Sequence, residues 1–227
     1  VNEKKIMYNE YMKYLKSYFK RTIILDIPEA QIKTIFYKVN DLFVMSTCSK
    51  DFELAPRSST KDLINYFREY VVRLLFIIPL NDKMMIGYLF RLLNEYLFRI
   101  IYSLYNEGST EEIAIMSKRD IVEKIEDKVN CEIKEKLLEN YSKYSEITHG
   151  VSSRKPYSTN IFEIQNKIDY GLLKYINSGL DDLLNVFIDS IFNNMLRSCP
   201  TKIELGLKKR LRDNLNETRL SKIELEY

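Results

Sequence analysis

Lys83 to Tyr105 reads KMMIGYLFRLLNEYLFRIIYSLY. Met85, Leu89, Leu92, Leu93, Tyr96, Leu97, Ile100, Ile101 and Leu104 recur at spacings of three and four, which gathers them on one wide side of a helix. A stripe this broad suits the centre of a bundle, where neighbours lie on more than one side. Pro79 closes the apolar run before it, and Asn81 and Asp82 are suited to cap its start. On a different face Arg91, Glu95 and Arg99 follow one another at intervals of four. That ladder reads either as surface pairing, worth about 0.3–0.5 kcal/mol per pair, or as part of a site.

Working outward, the chain before this helix carries the same period. Thr60 is placed to cap a helix from Lys61 to Ile78, with Leu63, Ile64, Phe67, Tyr70, Val71, Leu74 and Leu75 inward. Ser46 to Ser59 loses periodicity and contains Pro56, so it reads as a loop. Pro28 fits the first position of a helix reaching about Met45, with Ile32, Ile35, Phe36, Val39 and Phe43 facing in. Thr22 to Ile27 reads as a short strand or an extended linker, and residues 3 to 21 as a helix whose lysines are more simply a solvated face than a nucleic-acid grip.

Beyond Tyr105, Asn106 to Met116 reads as a hairpin loop around Gly108. Ser117 to Asp120 resembles a capping box and opens a helix to about Val129, followed by another from Glu132. Ile161 to Leu196 is helical in period, with a bend expected near Gly179. Thr201 would cap a last charged helix to about Leu225. The expected fold is an all-α helical bundle over 60–197, with additional helices at 1–59 and 198–227. Only 6 Gly and 5 Pro in 227 residues fit that class and not a turn-rich β-sandwich.

Composition narrows the function. Hydrophobic residues at 45% and charged residues at 30% describe a globular chain, and a net charge of +3 is too small for DNA binding by bulk electrostatics. The longest apolar run, Val71 to Ile78, is interrupted by Arg73 and falls short of the ~20 residues that span a bilayer. The first stretch lacks the apolar core of a secretory signal. Cys48, Cys131 and Cys199 fit neither a disulfide framework nor a zinc site. These features lead us to expect a soluble, cytoplasmic protein without membrane partner, metal or cofactor.

Glu132 to Tyr157, EIKEKLLENYSKYSEITHGVSSRKPY, holds the one histidine of the chain, His149. Leu137, Leu138, Tyr141, Tyr144 and Thr148 share one helical face, while Ser142, Ser145, Glu146 and His149 share a neighbouring polar one. Gly150 suits the helix end, and Arg154 and Lys155 stand in a basic loop that could meet an anion. There is no glycine-rich phosphate loop, no Cys-x-x-Cys, no H-E-x-x-H and no G-x-S-x-G. A lone imidazole needs carboxylate or hydroxyl partners, or a second copy from another subunit.

The pair RLLNEYLFRIIYSLY (Arg91 to Tyr105) and ENYSKYSEITHG (Glu139 to Gly150) resembles the HEPN superfamily of helical bundles. Glu95 matches the central glutamate of the first helix, and Tyr141, Ser145, His149 and Gly150 match a Tyr-x-x-x-Ser-x-x-x-His-Gly segment. The resemblance implies a homodimer that binds RNA or a nucleotide, in a toxin–antitoxin or phage-defence setting. For a nuclease it implies His149, Ser145 and Glu95 as the catalytic group and Arg91, Tyr141, Arg154 and Lys155 as RNA contacts. The family's arginine before the histidine is missing; Lys143 stands in that window and lacks the planar fork. Two readings stay open: metal-independent RNA cleavage with Lys143 or Arg154 meeting the phosphate charge, or a non-catalytic interaction or immunity factor. In the second, His149 simply bonds Glu95 or Ser145 and caps the helix end, where a cation is favoured by ~0.3–1 kcal/mol.

Overall fold

A computed structural model describes residues 3–19, 27–148, 170–198 and 205–224. Among them all regular structure is helical, as expected of an all-α chain. The helices are α1 (Glu3–Tyr18), α2 (Glu29–Asp51), α3 (Ser58–Ile77), α4 (Lys83–Tyr105), α5 (Thr110–Ile115), α6 (Lys118–Ile125) and α7 (Cys131–Thr148). After them come α8 (Tyr170–Val186), a π-helical segment Phe187–Phe192, α9 (Asn193–Ser198), α10 (Leu205–Asn214) and α11 (Glu217–Leu220). No described helix is long and apolar enough to cross a membrane.

The central helix α4 packs between α3 and α7, with α6 and α8 also against it and α2 behind α3. Leu89, Leu93, Leu97, Ile100, Ile101 and Leu104 of the expected stripe are buried, but Met85 is exposed and Leu92 and Tyr96 are half-buried, because the buried side is turned toward Phe90 and Phe98. Both ends are secured. Asp82 Oδ1 accepts from the amides of Met84 at 2.9 Å and Met85 at 3.1 Å. At the other end Arg57 Nη1 donates to the carbonyls of Ser103 at 2.8 Å and Leu104 at 3.0 Å, covering acceptors that the helix leaves open.

Several boundaries differ from the sequence reading. Thr60 caps nothing; it lies inside α3, and its buried hydroxyl donates to Ser103 O at 3.2 Å. The loop expected from Ser46 to Ser59 is shortened to 52–57, because α2 runs on to Asp51 and α3 begins at Ser58. The hydroxyls at the end of α2 stay within the helix: Ser46, Thr47 and Ser49 donate to the carbonyls of Leu42, Phe43 and Met45 at 2.7, 2.8 and 2.9 Å. That satisfies small polar groups while Met45 and Cys48 are driven inward.

The hairpin at Asn106 to Met116 contains α5, opened by a reciprocal capping box between Ser109 and Glu112. Next, α6 stops at Ile125, short of Val129. Gly179 does not interrupt α8, and the departure from α geometry comes later, at Phe187–Phe192. The final charged helix is two short ones, parted before the Asn216 cap of α11.

Candidate functional site

Helix α4 turns one stripe outward, between α3 on one side and α6 and α7 on the other. Arg91, Leu92, Glu95, Tyr96 and Arg99 lie half-buried along it. Glu95 accepts from Arg91 Nε at 3.2 Å and from Arg99 Nη1 at 3.4 Å, so one carboxylate sits between two guanidiniums. Arg99 Nη2 also donates to Ala114 O at 3.3 Å, which fixes that arginine against α5.

Tyr141 reaches this stripe from α7. Its hydroxyl accepts from Arg91 Nη2 at 3.3 Å, and its ring meets Phe98 edge-on with centroids 6.5 Å apart. The Arg91 guanidinium lies 5.4 Å from the ring centroid, and Lys118 Nζ lies 4.0 Å from it. Both distances are within the range at which a cation feels the ring quadrupole. Burial alone would lower the Arg91 pKa, but Tyr141 and Glu95 more than offset it, and the net shift is upward. Glu95 thus pairs with Arg91 and Arg99, while Arg91 and Lys118 both stand against the Tyr141 ring.

On the α3 side the stripe is aromatic. Tyr96 stacks on Tyr70, with centroids 5.4 Å apart and planes at 26°, and meets Tyr66 at 6.2 Å. The Arg73 guanidinium lies 4.6 Å from the Tyr70 ring. Burial and the neighbouring Tyr70 raise the Tyr96 pKa, against the opposing pull of Arg99.

The fold brings Arg91, Glu95 and Tyr141 together, as the sequence grouping expects. Lys143 goes elsewhere: its ammonium lies 5.4 Å from the ring centroids of both Tyr144 and Tyr175, toward α8. Ser145 is half-buried, with its Oγ shielded from solvent. His149, Arg154 and Lys155 lie outside the described residues. Sequence reasoning missed Lys118 and Tyr66, and it passed over Tyr70 and Tyr96 as ordinary stripe residues. Only the partnership of three separate helices reveals them.

Two clefts elsewhere carry the opposite charge. One of about 600 Å³ has Tyr102, Ile113 and Met116 among its lining, with Glu107, Asp120 and Glu123. The other, about 730 Å³ between α7 and α8, is lined in part by Glu132, Glu135, Glu139, Asp182 and Asp189. Neither suits an anion. No group of three or more His, Cys, Asp and Glu among the described residues is arranged to hold a metal ion. The chain matches no family model, no curated protein and no solved structure.

Proposed function

We propose that this is an RNA-binding protein whose contact surface is the outward stripe of α4. The observation that carries the reading is the Tyr141 ring with Arg91 and Lys118 both over it, beside the Arg91–Glu95–Arg99 ladder. Arg91 and Arg99 on Glu95, with Lys118 on the neighbouring Tyr141 ring, leave a local excess of positive charge that phosphate complements. Glu95 orients the two guanidiniums, and its own charge is already met by them. The HEPN-like spacing of Tyr141, Ser145, His149 and Gly150 favours RNA as the anion, in a defence or toxin–antitoxin setting. Binding is favoured over cutting, because Lys143 lacks the planar fork of arginine and its ammonium lies against the Tyr144 and Tyr175 rings.

The test is a fluorescence-anisotropy titration of labelled RNA against the wild type and the double variant Arg91→Gln/Lys118→Gln. Loss of two phosphate contacts should weaken binding at least tenfold at about 0.1 M salt and flatten the log–log salt slope by roughly 1.4 for a single strand. Wild type that fails to bind RNA at low salt, or a double variant that binds as tightly, overturns the reading.

A second reading rests on a separate feature. Phe76, Leu80, Met84, Met85 and Tyr88 are large, apolar and exposed near the turn between α3 and α4. Such a patch favours a protein contact, with a second copy of the chain or with another partner, and supports the non-catalytic interaction role.

A further inference from the structure

We infer that the α4 stripe takes an unpaired strand, with a base stacking on Tyr66, the open end of the ring cluster Tyr66, Tyr96 and Tyr70, while phosphates follow the arginines. The inference rests on the RNA-binding reading above and adds the class of RNA. The three tyrosines come from two helices and form one continuous set of rings, Tyr66 against Tyr96 and Tyr96 against Tyr70. Tyr66 is at its open end, 46% exposed. An aromatic ring offers a stacking face to any base, whatever its identity, and each stack is worth about 1–3 kcal/mol.

The ring cluster adjoins the charged ladder directly. Tyr96 is the neighbour of Glu95 in sequence, and Arg99 is close enough to act on the Tyr96 hydroxyl. Eight residues separate Arg91 from Arg99, about 12 Å along the helix axis at 1.5 Å per residue. On the α3 edge the exposed Arg73 stands over Tyr70. With the exposed Asp62 and Glu69 on the same edge of α3, the strip carries Arg73, Arg91, Arg99 and Lys118 against Asp62, Glu69 and Glu95, an excess of one positive charge. That balance complements a polyanion.

Pairing state follows from the rings. In a duplex the base faces are already stacked on one another, and only phosphates and groove edges reach a protein. The exposed Tyr66 ring would then meet nothing it can stack on. An unpaired strand can turn a base onto that ring while its backbone tracks the arginines beside it.

The experiment compares a labelled 15-nucleotide single strand with a 15-base-pair RNA duplex, titrated with the full chain at about 0.1 M salt, a concentration that leaves phosphate contacts measurable. The strand should bind at least tenfold tighter than the duplex. Tyr66→Ala should weaken strand binding by about 5- to 150-fold, the range of one stack, and leave duplex binding unchanged, while Tyr66→Phe should keep strand binding within twofold. Strand binding unaltered by Tyr66→Ala, or a duplex bound as tightly as the strand, overturns the inference. If Arg91→Gln/Lys118→Gln still weakens RNA binding in that case, the RNA-binding reading survives alone. If the wild type binds neither RNA and Tyr66→Ala changes its mass by light scattering, the ring cluster is a protein contact and both fail.

Discussion

Gly179 shows what one missing methyl group decides. A Cβ built there would lie 2.8 Å from Phe90 Cε1 and Cζ and 2.8 Å from the Tyr144 hydroxyl. Those rings cannot step aside. Phe90 and Tyr144 stack at 5.2 Å with planes 17° apart, and Tyr175 closes on both edge-on, at 5.9 and 5.6 Å. The glycine is therefore a packing requirement, and α8 continues through it without interruption. Gly179→Ala should destabilise the fold by about 1–3 kcal/mol in urea unfolding, although alanine is the better helix former by about 1 kcal/mol. The Tyr144 hydroxyl on the other side of that contact is buried with no hydrogen-bond partner among the described residues, and burial drives its pKa well up. Tyr144→Phe removes a polar atom that nothing satisfies, so it should leave stability unchanged or raise it. A large loss in that variant would mean the hydroxyl has a partner.

Among the elements, α4 is where local and tertiary signals agree. Pro79 stops the helix before it, Asp82 caps it, and its apolar stripe finds neighbours all round, so its bounds are legible from sequence alone. Asp82→Ala should cost about 0.5–2 kcal/mol, measured by thermal or denaturant unfolding, while Asp82→Asn keeps an acceptor and should cost little. Elsewhere the local signal misleads. Ser46, Thr47 and Ser49 look like loop residues because hydroxyls compete for backbone groups, yet here each bonds the carbonyl four residues back and α2 continues. The site divides in the same way. Arg91 and Glu95 are legible as an i, i+4 pair, and Tyr141 as part of a spaced motif. Lys143 is two positions from Tyr141, about 200° around the helix, so the periodicity that groups Tyr141 with Ser145 already sets it apart. Lys118 comes from another helix, and no spacing rule connects it to Tyr141.

At the scale of the whole molecule, one buried charge pair joins elements far apart in the chain. Lys4 Nζ donates to Asp41 Oδ1 at 2.6 Å and to Asn214 O at 2.9 Å, and it lies 4.4 Å from the Tyr37 ring centroid. Lys4 is 7% exposed and Asp41 2%, so α1, α2 and α10 meet around an ion pair with almost no water. Lys4→Met would leave the carboxylate without its ion-pair partner, with only the charge of Arg219 acting on it, a loss of about 3–5 kcal/mol by chemical denaturation, and adding Asp41→Leu should recover most of it. The sign of the pH effect follows from Asp41. Burial raises its pKa, against the pull of Lys4, so its proton is held more tightly in the folded chain. Its own contribution is present below the unfolded value and lost as pH rises through the folded one. The Lys4→Met penalty should therefore shrink on acidification. The π-helical segment at Phe187–Phe192 acts over a comparable range. A residue added to a regular core helix turns every later side chain by about 100°, but this wide turn takes up one residue, and Phe187, Ile191, Phe192 and Met195 all stay inside. A chain with the same core and a plain helix there would be one residue shorter, so the two could be aligned position for position only with a single-residue gap between Val186 and Asn193.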